Sequence, residues 1–169
     1  SRVIEIGPGR GVLTALLLES GAYVTAVEID RRLADELRHR FAGAASFTLI
    51  EADILRCDIA ELAGGAPARV LANLPYSITG PVLMRLFGAA ACLTDMMLML
   101  QREVVNRLVA PPGGRIYGSL SVLAQYFTDP STVMALAPGS FSPPPAVSSA
   151  VVAMPFRTPR ELDPGKERL

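Results

Sequence analysis

A chain of 169 residues, half of them hydrophobic, has material for one sizeable core and too little for two full domains. Its 16 basic and 16 acidic residues cancel, so it lacks the strongly basic footprint common among nucleic-acid binders. No apolar run reaches the roughly 18 residues that would span a bilayer, no signal peptide is visible, and Cys57 and Cys92 lack metal-ligand spacing. Reduced, buried thiols in a cytoplasmic protein are the expectation for these two cysteines.

Taken in chain order, residues 3–6 read as a strand, followed by Gly7-Pro8-Gly9-Arg10-Gly11 and an apolar-periodic helix over 11–19. Glycines at a strand-to-helix turn permit positive φ and let a ligand approach the backbone. A second strand over 22–28 ends in Glu28-Ile29-Asp30, an acid placed to accept from ribose hydroxyls. On the charged helix that follows, 31–41, His39 is the only histidine and reads as part of a solvated face. A third strand over 46–51 ends in Glu51-Ala52-Asp53, which puts Asp53 where an adenine amino group would sit. The glycine spacing departs from the dinucleotide fingerprint G-x-G-x-x-G, because the third glycine comes one place early. A nucleoside with a zwitterionic amino-acid tail, S-adenosylmethionine, suits the arrangement better than a nicotinamide cofactor.

A short helix near 58–63 leads to a strand over 69–72 and then to Asn73-Leu74-Pro75-Tyr76. The Asn73 side-chain oxygen and the Leu74 carbonyl can both accept from an exocyclic amino group, while Pro75 restricts the residue before it. Tyr76 offers a ring face for stacking, worth roughly 1–3 kcal/mol per base in nucleic-acid sites. Read in isolation, the same four residues also describe a polar turn with a core tyrosine.

Beyond it come a helix over 79–87, an apolar strand over 95–100 and a helix over 103–109 closed by Pro111-Pro112-Gly113-Gly114. A helix over 119–127 and strands over 132–137 and 149–156 complete the pattern. Alternating strands and helices predict a doubly wound, mostly parallel α/β sheet of seven strands, its last pair an antiparallel hairpin. Charge is uneven: residues 1–63 hold seven arginines against ten acids, and 64–169 nine basic residues against six acids. Positive charge therefore leans toward the half that carries Asn73.

The stretches Ile4 to Thr14, Val27 to Asp30, Asn73 to Tyr76, Met99 to Val104, Tyr117 to Val122 and Phe141 to Pro145 resemble, in order, the ribosomal RNA adenine dimethyltransferase family. The resemblance is to its bacterial small-subunit branch; the macrolide-resistance cousins usually carry Ile where Leu74 stands. It implies the Rossmann-like fold of class I S-adenosylmethionine-dependent methyltransferases over 1–156, with 157–169 as a linker toward a helical C-terminal domain. A basic leader ahead of the first strand is also expected of the family. The implied cofactor set is Glu5, Gly7, Pro8, Gly9, Gly11, Glu28, Ile29, Asp53, Ile54 and Asn73, with no metal. The implied catalytic set is Asn73, Leu74, Pro75, Tyr76 and Phe141, with the Pro143-Pro144-Pro145 run holding Phe141 opposite Tyr76. Where the family commonly has Lys-Val-Asp-Ser, this chain has Ala146-Val147-Ser148-Ser149, which removes an expected RNA contact and a loop-ordering hydrogen bond.

The activity so implied is N6,N6-dimethylation of two adjacent adenines in the 3'-terminal hairpin of 16S rRNA, in a monomer acting on the pre-30S ribosomal subunit during ribosome biogenesis. Two alternatives stay open on sequence alone. One is an adenine N6-methyltransferase of large-subunit RNA or DNA; the other is an assembly factor of the same fold that no longer methylates.

Overall fold

The computed structural model describes residues 1–140 and 147–157. Its strands are β1 (Arg2–Ile6), β2 (Tyr23–Glu28), β3 (Phe47–Glu51), β4 (Ala68–Asn73), β5 (Leu93–Gln101), β6 (Ser131–Leu136) and β7 (Ser149–Pro155). Between them run α1 (Val12–Glu19), α2 (Arg31–Arg40), α3 (Ile59–Ala63), α4 (Thr79–Gly88), α5 (Arg102–Leu108) and α6 (Ser119–Phe127). The strands form one sheet in the order β3-β2-β1-β4-β5-β7-β6. Pairs from β3 through β5 are parallel, whereas β7 lies antiparallel to both β5 and β6, as expected for the closing pair.

The inner strands are apolar on both faces, so each face builds its own core. On one, Ile4, Ile6, Val70, Leu98 and Met154 pack with Leu62 of α3, Leu86 and Phe87 of α4, Leu108 of α5 and Ala124 of α6. On the other, Val3, Val24 and Ala26 form a smaller cluster against Leu17 and Leu18 of α1. That second cluster stops at Leu71 of β4, and beyond it Met97 of β5 remains exposed.

Chain order reverses between β1 and β4, with β2 and β3 continuing one way and β5 the other. At such a switch point the loops leaving the carboxyl ends of the two strands diverge and leave a crevice. Gly7 follows β1 and Asn73 ends β4, so the two motifs that sequence singles out open onto the same gap. Element ends shift by a residue or two from expectation, most usefully at α1, which starts at Val12 with Gly11 as its N-cap. His39 is exposed on α2. Phe141, the prolines after it and Ala146 lie outside the described residues, as does the expected linker from Thr158 onward. Among the described residues no helix is long and apolar enough to cross a membrane.

Candidate active site

The crevice is a cavity of about 380 Å³ lined by Glu5, Ile6, Gly7, Pro8 and Gly9 from the β1 side, Ala72, Asn73 and Met99 from the β4–β5 side, and Val12, Leu13 and Leu16 of α1. Its size falls within the range of small-molecule sites, roughly 300–1,000 Å³. The glycine loop is shaped by backbone sterics. Gly7, Gly9 and Gly11 all have positive φ, at 68°, 58° and 72°. A turn closes the loop, with Gly11 N–H donating to the Pro8 carbonyl at 2.9 Å.

These glycines have different reasons to be glycine. A Cβ added to Gly9 would meet nothing within 4 Å, so its bare backbone faces open space. One added to Gly7 would come to 3.9 Å from the Asn73 carbonyl oxygen, which shows how closely the loop approaches the tip of β4. At Gly11, a Cβ would lie 2.7 Å from Leu37 Cδ2 and 2.8 Å from Phe41 Cε2. Gly11 is buried, does not line the cavity, and serves the packing of α2 against the loop.

Glu28 ties the loop to the tip of β2. Its Oε2 accepts from Gly9 N–H at 3.2 Å and its Oε1 from Asp30 N–H at 2.9 Å. Each oxygen keeps a second lone pair, so the carboxylate can order the loop and still accept from a ribose hydroxyl. Ile29 beside it is exposed, and neither Glu28 nor Ile29 lines the cavity itself. Asp53 N-caps the turn Ile54–Arg56, accepting from Leu55 N–H at 2.9 Å, and Ile54 is buried beneath it. Neither Asp53 nor Ile54 lines the cavity itself.

On the β4 side Asn73 pairs with Met99 across the sheet, and Leu74 N–H donates to the Met99 carbonyl at 3.3 Å. The Leu74 side chain is buried, which fixes the backbone, while Asn73, Pro75 and Tyr76 remain exposed. Pro75 sits at φ −58° and ψ 140°, and its carbonyl accepts from Ile78 N–H and the Thr79 hydroxyl, each at 3.2 Å. Tyr76 begins that short turn with 43% of its surface exposed.

Three features escape sequence reading. Thr14, buried in the first turn of α1, donates its hydroxyl to Glu5 Oε2 at 2.7 Å. Glu5 itself is only 2% exposed, and burial pushes its carboxyl above the ordinary value of 4.5, against the opposing pull of the Thr14 hydrogen bond. Finally, α1 inverts the usual polarity: Thr14 is its one buried residue, while Val12 and Leu16 are 68% and 59% exposed along the cavity wall. A helix that is apolar all round gives no sequence signal for which side faces a ligand; a single threonine in such a helix was the available hint.

A family model described as ribosomal RNA adenine dimethylase matches residues 1–166. The chain belongs to this family. A relative from Geobacter sulfurreducens, named Ribosomal RNA small subunit methyltransferase A, is 48% identical over 170 residues, covering 98% of this chain and 61% of its own length. Among solved structures, a dimethyladenosine transferase from Plasmodium falciparum superposes with a TM-score of 0.82 at 29% identity, over 92% of this chain and 56% of that one. The 23S rRNA methyltransferase ErmE gives 0.81 at 26% identity, over 93% and 62%. The seven-stranded sheet is thus the class I S-adenosylmethionine-dependent methyltransferase fold, and the chain spans about three fifths of the length of the relatives it matches.

Proposed function

We propose that the protein uses S-adenosylmethionine to dimethylate N6 of two adjacent adenines in the 3'-terminal hairpin of small-subunit (16S) rRNA, within the assembling ribosomal subunit. The observation that carries this reading is Asn73 at the end of β4, lining the same cavity as Gly7 and Gly9, with the Leu74 carbonyl next in the chain as a second acceptor. The residues present fit the cofactor. Gly9 offers open backbone beside Gly7, Glu28 an acceptor for a ribose, Glu5 a carboxyl suited to a cationic tail, and Val12, Leu13 and Leu16 an apolar wall. When bound, S-adenosylmethionine supplies an electrophilic methyl group carried on a sulfonium.

The chain's own residues prepare the nucleophile. The adenine N6 lone pair is delocalised into the ring, so the free amine attacks poorly. Accepting its two N–H bonds at Asn73 and Leu74 draws the nitrogen toward tetrahedral geometry and aims the lone pair into the cavity. Such alignment contributes several kcal/mol, up to about 7–11 in ideal cases. Tyr76 stacks on a base extruded from its helix, offsetting part of the few kcal/mol that extrusion costs. No residue need remove a proton before attack, because the product ammonium is strongly acidic and sheds one afterwards. A neutral Asn73, unlike an Asp, leaves no charge to re-solvate when the monomethylated base turns for its second transfer.

Small-subunit RNA is favoured over large-subunit RNA because the relative so named is 48% identical, against 26% for ErmE. Incubating the protein with the cofactor and unmodified 30S or 50S subunits in parallel, then digesting the rRNA for mass spectrometry, tests the assignment. Paired dimethyladenosines near the 3' end are expected. Methylation confined to 23S rRNA, or none under conditions in which a full-length relative methylates 16S rRNA, would overturn it.

A further inference from the structure

We propose that Thr79 is a positioning residue of the methyl transfer: its hydroxyl holds the Pro75 carbonyl toward α4, and so leaves the Leu74 carbonyl as the one presented to the target amine. This rests on the function proposed above and adds to it the residue that sets the second acceptor. Two carbonyls, of Leu74 and Pro75, follow Asn73 at the end of β4, and the orientation of this short stretch decides which one an amine meets. The Pro75 carbonyl is fully engaged. Ile78 N–H and the Thr79 hydroxyl both donate to it, each at 3.2 Å, which uses both of its lone pairs. Among the described residues nothing donates to the Leu74 carbonyl.

A threonine bonding the carbonyl four residues back is ordinary inside a helix. Here the acceptor lies outside α4, which begins at Thr79 itself, so the bond ties the helix to the segment ahead of it. Thr79 is 5% exposed, which shields the bond from competing water. At the other end of the segment, the Leu74 side chain is buried and its N–H donates to the Met99 carbonyl at 3.3 Å. Between these anchors Pro75, Tyr76 and Ser77 are exposed, so the order of this stretch depends on its ends. Without the Thr79 hydroxyl, the Pro75 carbonyl keeps one donor and the peptide groups on either side of Pro75 gain freedom to turn.

The two transfers feel this loss unequally. Each forms a bond from N6 to a methyl carbon as the sulfur–carbon bond breaks, and N6 then gives up one proton to solvent. In the first, N6 carries two N–H bonds and both acceptors hold it, so the amine itself helps to order the segment. After one methyl it keeps a single N–H, and its placement rests more on the protein's own order. Loss of the Thr79 hydroxyl should therefore slow the second transfer more than the first.

Thr79→Val, which keeps the shape and removes the hydroxyl, and Thr79→Ser, which restores the hydroxyl, test this against the wild type. With unmodified 30S subunits and S-adenosylmethionine, kcat of Thr79→Val should fall about 10- to 100-fold, the scale of a misplacement of about 1 Å. Its calorimetric affinity for S-adenosylhomocysteine should be unchanged. Nucleoside mass spectrometry, compared at equal total methylation, should show monomethyladenosine accumulating in Thr79→Val and not in Thr79→Ser. Hydrogen exchange of the peptide over residues 74–79 reads the anchor without turnover. It should speed up in Thr79→Val alone, with the peptide over residues 7–14 unaltered. Thermal melting establishes that the variants are folded; should Thr79→Val not fold, Thr79→Ala takes its place. A hydroxyl-free variant with the wild-type product ratio and loop exchange, or a Thr79→Ser as impaired as Thr79→Val, would overturn the inference and leave the proposed function standing. No dimethyladenosine from the wild type, under conditions in which a full-length relative makes it, would overturn that function, and this role with it.

Discussion

Two glycines in one loop should fail in opposite ways when given a side chain. Gly9 and Gly11 both occupy the left-handed region, at φ 58° and 72°. An alanine there costs about 1–2 kcal/mol in backbone strain, partly offset by about 0.4–1 kcal/mol from a stiffer unfolded chain. For Gly9→Ala that is nearly the whole effect on folding, since the new methyl meets nothing within 4 Å. At Gly11 the methyl would sit 2.7 and 2.8 Å from the tips of Leu37 and Phe41, so α2 must shift or repack. Overpacking of this kind costs about 1–3 kcal/mol more. Gly11→Ala should therefore lose about 2–4 kcal/mol in urea-unfolding experiments, and Gly9→Ala about 1 kcal/mol or less. Cofactor affinity should fall the other way round. The Gly9 methyl projects where a ligand approaches, whereas folded Gly11→Ala keeps the cavity lining. Equal destabilisation of the two variants, or a stable Gly11→Ala that no longer binds cofactor, would refute this division of labour.

Asn73→Ala should abolish methyl transfer while cofactor affinity measured by calorimetry stays within a few fold; transfer near the wild-type rate would remove Asn73 from the orienting role. Glu28→Ala loses the acceptor of the Gly9 and Asp30 amides as well as a ribose partner, and should weaken cofactor binding by about 1–3 kcal/mol in the same assay. Glu5 also predicts a pH dependence of stability. Its carboxyl titrates above 4.5 in the fold, so the native state holds the proton more tightly than the unfolded chain does. Its contribution is then most favourable below pH 4.5 and is lost as pH rises through the raised value. Urea midpoints of Glu5→Gln should gain on the wild type across that window and converge with it in acid.

Much of this was legible in the chain. Alternating apolar strands and amphipathic helices such as α2, with Leu37 inward and Arg38 and His39 outward, carry strong periodic signals, and the seven-stranded sheet with its reversed final strand followed from them. Gly7 and Asn73, at strand ends, fall where the topology opens a crevice. What stayed hidden depends on contacts distant in sequence or on helices without polarity. Nothing in Gly11 itself announces Leu37 and Phe41, because those residues come two elements later. Nor does the run Val12 to Leu18 say that its threonine faces inward and two of its aliphatic residues outward. Asp53 shows a further ambiguity, since an acid after a strand is equally a ligand partner and a cap for the turn that follows.

The position of β7 bears on how the protein comes into being. It is the last strand among the described residues, yet it pairs with β5 along seven residues, from Asp95 with Pro155 to Gln101 with Ser149. Until it emerges from the ribosome, β5 is an unprotected edge, and its sequence Leu93 to Gln101 holds three methionines and no charge after Asp95. Such an edge invites pairing with other chains. The Arg102 amide, just beyond β5, likewise waits for its acceptor, the Ser148 carbonyl. The β1–β4 half can assemble earlier from its own contacts, but the strand that supports Met99 behind Asn73 is secured only after β7 has been made. During synthesis that edge of β5 stays open while the chain grows from residue 101 to residue 155.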